Sequence, residues 1–250
     1  MVKDWFAVFV LSCVATLALT ANGASKTVPL PKLRPPRATE ATIPEVQFPP
    51  LNASDGWSVD QIAQARAVCT TLLKGLDMTY ESLAPIGKAG GCGAPAPIRI
   101  TAIGLSKINP PADANCEFAE ALHGWVTSSL QPAAREYLHK DVTVINNASA
   151  YVCRLRNGLS TGKLSEHGKA NALDIATLQF ADGSATSIKG DWSGAAQLLG
   201  FSAKAEFLRR LRRDACIRFT TVLGPGTDQY HGDHFHVDLA KRHNGYRICK

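Results

Sequence analysis

The chain has 250 residues, 45% hydrophobic and 19% charged, with 20 glycines and 14 prolines. This excludes a wholly disordered or collagen-like protein and leaves room for one ordinary domain plus extensions. Its 27 basic and 21 acidic residues give a net charge of +6 that is spread along the chain. A positive excess favours an anionic polymer such as a cell wall, though its spread along the chain counts against a focused patch, and no nucleic-acid partner is predicted, because neither an aromatic stacking array nor a recognised binding module accompanies the charge.

In chain order, Lys3 followed by the apolar run Trp5 to Ala21 and the small residues Ala21-Asn22-Gly23 reads as a signal peptide over 1–24. An uncleaved anchor is the rival, and is the only predicted contact with a membrane. Val10-Leu11-Ser12-Cys13 resembles a lipoprotein box, but the apolar stretch continues past Cys13. Residues 25–55 carry Pro29, Pro31, Pro35, Pro36, Pro44, Pro49 and Pro50, a density that breaks helices and removes strand donors, so they predict an extended linker. The folded domain is predicted over 56–250. Nothing in the pattern specifies an oligomeric state.

Ser58 and Gln61 form a capping box before Ile62, Ala65, Cys69, Leu72 and Leu76, which recur on one helical face. The Gly-rich stretch Gly87 to Gly93 precedes a short strand at Ile98 to Ile100. Cys116 to Ser129 and Pro132 to His139 read as two helices, the second opening on a proline suited to a first turn. Val142 to Arg154 reads as a strand region. Asn171 to Phe180 and Ala185 to Ile188 pair as a hairpin across Asp182-Gly183. Ala203 to Ala215 is helical by pattern, and the arginines at 209, 210, 212 and 213 form its solvated face. Arg218 to Leu223 and His234 to Leu239 supply the last strands. The fold class is therefore α+β, with a mainly antiparallel sheet flanked by helices.

Six cysteines, Cys69, Cys92, Cys116, Cys153, Cys216 and Cys249, follow the export signal. They predict up to three disulfides in an oxidising compartment, the periplasm or cell envelope, with fifteen pairings open. No two are close enough for a cysteine zinc cage.

Histidine carries the chemistry. On an extended strand His234, His236 and Asp238 share one face, while Phe235, Val237 and Leu239 take the other. The run SEHGKANALD, Ser165 to Asp174, adds His167 and Asp174. Two imidazoles and one carboxylate are what a catalytic zinc site takes from its protein, with a fourth position left for water. The pattern alone leaves open which histidine of the pair is the ligand.

SEHGKANALD resembles the SxHxxGxAxD signature of the LAS zinc peptidases, the D-Ala-D-Ala carboxypeptidases and penicillin-insensitive murein endopeptidases, and HFH resembles their terminal HxH. Cys153-Arg154, the SEH run, Ala215-Cys216, Leu223-Gly224-Pro225 and DHFHVDL together resemble the bacterial extensin-like C-terminal family from about Cys69 to Cys249. The resemblance implies a hedgehog/D-Ala-D-Ala peptidase-like fold and Zn2+ held by His167, Asp174 and His236, with His234 as the catalytic residue. It implies hydrolysis of peptidoglycan peptides, by cross-link endopeptidase or carboxypeptidase action. Arg154, Ser165 and His231 are the candidates for substrate binding, and Asp233 and Asp238 for orienting imidazoles. The signature glycine is Ala170 here, and alanine enters positive φ only at a cost. The competing expectation is a non-catalytic wall-binding or structural protein with an architectural zinc site.

Overall fold

The computed structural model describes residues 56–87, 89–192 and 202–250, so the predicted signal peptide and linker lie outside the described residues. Helix α1 (Val59–Leu73) begins at the expected capping box, Ser58 accepting from the Gln61 amide and the Gln61 side chain from the Ser58 amide. It ends before Leu76. Strands β1 (Met78–Ser82), β2 (Ile98–Ile103) and β3 (Ser106–Ala114) form a meander. The sequence reading found only the first half of β2. Pro110 and Pro111 argue against a strand, yet they fall where the β2–β3 register shifts, so no ladder amide is demanded of them.

The chain then enters α2 (Cys116–Trp125), capped by Asn115, and passes through a π-helical turn, Val126–Leu130, straight into α3 (Gln131–Leu138). The two predicted helices are thus one interrupted run, broken by the π turn that accommodates Pro132. Strand β4 (Val142–Ser149) pairs parallel with β3 and antiparallel with β5 (Ala172–Phe180), and β6 (Ala185–Ser187) folds back on β5 across Gly183 at φ 81°. After the short α4 (Ile188–Asp191), α5 (Ala203–Arg218) precedes β7 (Thr221–Leu223), β8 (Phe235–Asp238) and β9 (Ile248–Cys249).

These strands make one mixed, mostly antiparallel sheet in the order β1-β2-β3-β4-β5-β8-β7-β9, with β6 on β5. Its core face packs Ile100, Ile145, Leu173, Ile175, Phe235 and Val237 against Phe118, Leu122 and Trp125 of α2 and Phe207 and Leu211 of α5. Phe219 joins the two helices, its ring 5.6 Å from Phe118 and 6.3 Å from Trp125. Because strand side chains alternate, Asp174 between Leu173 and Ile175, and His236 between Phe235 and Val237, are turned to the face away from this core. The protein is α+β, as its patterning predicts.

Three disulfides join Cys69 to Cys116, Cys92 to Cys153 and Cys216 to Cys249. They match the oxidising, exported environment read from the sequence. Among the described residues no helix is long and apolar enough to cross a membrane.

Candidate metal centre

Strands β5 and β8 pair antiparallel with Asp174 directly opposite His236, so the two side chains stand together on the face turned away from the core. His167 arrives from a 3-10 turn, Glu166–Lys169, immediately before β5. That turn is held at several points. Ser165 caps it through its hydroxyl, 3.4 Å from the His167 amide, and Ala170 ends it at φ 52°. The buried Glu166 carboxylate accepts from Lys169 and Asn171, both at 2.7 Å, and Asn115 binds Asn171 at 3.1 Å. The Gly93 amide donates to the Gly168 carbonyl at 2.7 Å, and the Cys92–Cys153 disulfide lies beneath Gly168.

The three predicted ligands converge. His167 Nε2 lies 3.1 Å from Asp174 Oδ1 and 3.1 Å from His236 Nδ1, and His236 Nδ1 lies 2.8 Å from the same carboxylate oxygen. All three residues are buried. The outer nitrogens decide what these inner atoms are. His167 Nδ1 lies 2.6 Å from the Ala150 carbonyl, an acceptor only, and His236 Nε2 lies 3.0 Å from Asp238 Oδ2. His167 has an acceptor outside and His236 stands between two carboxylates, so each ring either carries a proton on its inner nitrogen, which then bonds Asp174, or gives that proton up to a metal ion. With those inner protons removed, the atoms are two nitrogen lone pairs and a carboxylate oxygen pointing at one spot. Such a set requires a proton or a metal ion. Donors bonded at about 2.1 Å in a tetrahedral site stand about 3.4 Å apart, so zinc requires the three to part by only a few tenths of an ångström.

The electrostatics carry the same demand. Burial pushes the Asp174 carboxyl up, but hydrogen bonds from His167 and His236 outweigh it and hold the group well below the ordinary carboxylate range. Burial pushes His236 down, and Asp174 and Asp238 reverse this and raise it to about 9 without a metal. Asp238 is itself held low by His236 against the cost of burial.

His234 stands just before β8. Its Nε2 is 3.6 Å from Asp174 Oδ1 and its Nδ1 is 2.9 Å from Asp233, whose carboxyl this bond lowers. His231 packs against both histidines of the pair, its ring 5.3 Å from His234 and 5.7 Å from His236. Burial lowers its pKa despite Asp228, which binds its Nδ1 at 2.7 Å. Arg154 reaches to 3.9 Å from Asp174 Oδ2. With Ser165 they line a cleft of about 500 Å³ that also takes in Arg156, Tyr230, Arg242 and Ile248.

The predicted ligands, His234, Asp238 and the three candidates for substrate binding therefore all line one cleft, which Asp233 meets through its bond to His234, and the six cysteines stay outside it. The structure gives Ser165 a positioning bond to the ligand turn. Sequence reasoning missed the Ala150 carbonyl, the Glu166–Asn171 clamp and Asp228. An i, i+3 spacing between Asp228 and His231 was the available signal for the last; the carbonyl leaves none.

No curated protein and no solved structure matches the chain. The part of the chain that builds both halves of this centre, residues 67–250, matches the family model described as extensin-like protein C-terminus, and the protein belongs to that family.

Proposed function

We propose that the protein is a zinc-dependent peptidase of the cell envelope that hydrolyses peptide bonds in peptidoglycan. The observation that carries this reading is the convergence of two imidazole nitrogens and a carboxylate oxygen within 3.1 Å of one another, the outer nitrogen of each ring facing an acceptor. The resemblance to the LAS peptidases supports the substrate class and the fold assignment, and the disulfides support the compartment.

His167, Asp174 and His236 would hold the ion, and Asp238 and the Ala150 carbonyl would keep the two rings in the ligating tautomer. Bound zinc supplies Lewis-acid polarisation of the scissile carbonyl and acidification of water. Asp233 fixes His234 with Nε2 towards the triad. From there His234 accepts a proton from the attacking water and returns it to the leaving amine. Arg154, beside Asp174, pairs with a substrate carboxylate or the developing oxyanion.

The test incubates zinc-loaded protein with muropeptides, with and without chelator. Chelator-sensitive cleavage is expected, and its absence across several cross-link types overturns the reading. His234→Ala is expected to keep zinc and lose about 10²–10⁴-fold in rate.

A further inference from the structure

The charges of the cleft are unevenly committed. Glu166 is bound to Lys169 and Asn171, Asp228 to His231, and Asp238 to His236. Arg242 is spent on the Thr220 carbonyl and the Thr221 hydroxyl. Arg154 leans on Asp174 at 3.9 Å. Arg156 is different: it lines the cleft, is exposed, and makes no side-chain ion pair or hydrogen bond among the described residues.

Arg156 is nevertheless on a fixed segment. Its amide donates to the Lys163 carbonyl at 3.0 Å, Leu155 bridges Leu164, and the Ser165 amide donates to the Arg154 carbonyl at 3.0 Å. This short hairpin is therefore anchored on the cap of the His167 turn. Leu155 is extended, with φ −73° and ψ 162°, and residues 154 and 156 on either side of it both line the cleft. At the rise of such a backbone their Cα atoms stand about 6.2 Å apart, roughly the reach of two residues of an extended ligand.

We propose that Arg156 is a second carboxylate-recognition position, which selects peptides bearing a free carboxylate about two residues from the group held at Arg154. The proposal rests on the peptidase reading for the identity of the ligand as a peptide, and on the uncommitted guanidinium for its charge. A guanidinium held beside a cleft pairs with a carboxylate through charge-assisted hydrogen bonds, and no acidic side chain among the described residues competes for it.

The probes are muropeptide stem peptides with free carboxylates and the same peptides converted to carboxamides. Their binding is measured calorimetrically to metal-free and zinc-loaded protein, alongside turnover. The expected result is that Arg156→Gln lowers the preference for the free carboxylates about threefold to tenfold, leaves carboxamide affinity and zinc affinity unchanged, and that Arg156→Lys restores part of the preference. Full preference in Arg156→Gln, or no preference in the unaltered protein, overturns the proposal. Turnover separates the two readings. Loss of preference in Arg156→Gln without any zinc-dependent hydrolysis leaves the carboxylate position standing and removes the peptidase. Hydrolysis with an unaltered preference does the reverse.

Discussion

With its Nδ1 given to a metal ion, the outward N–H of His236 has one carboxylate to receive it, which makes Asp238→Asn the sharpest probe of the centre. Asp238 accepts twice, from His236 Nε2 at 3.0 Å through Oδ2 and from the Ala240 amide at 2.9 Å through Oδ1. Asparagine keeps the shape and offers only one acceptor. If its oxygen stays on Ala240, its NH2 meets Nε2, which must then become the acceptor. The ring proton moves to Nδ1, the nitrogen 2.8 Å from Asp174 Oδ1, and the third ligand lone pair is gone. If its oxygen stays on His236, two donors face each other at Ala240. Losing an outer partner of this kind weakens metal binding by about 10–100-fold, which converts to about 1.4–2.7 kcal/mol. Competition against a chromophoric chelator reads the zinc affinity, and circular dichroism confirms the fold. A correctly folded variant that binds zinc within about twofold of the unaltered protein refutes the assignment of His236 Nδ1 as a ligand atom, given that expected range.

Gly93→Ala is expected to destabilise the domain by on the order of 2–4 kcal/mol, because a Cβ there falls 2.0 Å from the Gly87 carbonyl oxygen at φ 122°. Thermal denaturation reads this loss, and zinc affinity falls with it because the Gly93 amide holds Gly168 beside His167. Replacing Cys92 and Cys153 by serine opens a link spanning 61 residues of chain and is expected to cost about 2–4 kcal/mol, seen as a lower urea midpoint. In metal-free protein His236 keeps its proton up to about 9, so zinc must displace that proton at neutral pH. Zinc affinity therefore rises with pH, by about tenfold per unit, and levels near pH 9. Calorimetry in buffers of different ionisation enthalpy measures the released proton, and a pH-independent affinity between pH 7 and about 8.5 contradicts the assignment.

The parts of this molecule that were legible in the sequence are those whose pattern is local. Period-2 alternation separates His236 from Phe235 and Val237, the Ser58–Gln61 box starts α1, and Asp182-Gly183 makes the β5–β6 hairpin. Strands β1, β3 and β9 were not legible, because their pairing is decided by partners elsewhere. Strand β1 is mostly exposed, β3 carries two prolines at a register shift, and β9 is two residues long beside the Cys216–Cys249 disulfide. The same distinction holds within the site. The ligands were visible as residue types at fixed spacing, whereas the Ala150 carbonyl has no residue signature at all, since any side chain leaves that oxygen in place.

Ala170 shows how a departure from a signature is absorbed. The position does require a left-handed backbone, φ 52° and ψ 37°, because the chain must reverse from the His167 turn into β5. Holding a non-glycine residue there costs about 1–2 kcal/mol. Glycine, however, loses about 0.5–1 kcal/mol more chain entropy on folding. It also forfeits the burial of a methyl group, worth about 0.8 kcal/mol, at a site that is fully buried here. The opposing contributions agree to within about 1 kcal/mol, so alanine is tolerated where the signature has glycine. A β-branched side chain has no such compensation, since its extra bulk adds to the strain and must fit where Ala170 has no exposed surface. What the turn requires is thus a small residue, and the course of the chain from His167, three residues before, to Asp174, four after, is kept by the backbone bonds of Ala170 itself, its amide to the His167 carbonyl and its carbonyl to the Asn115 amide.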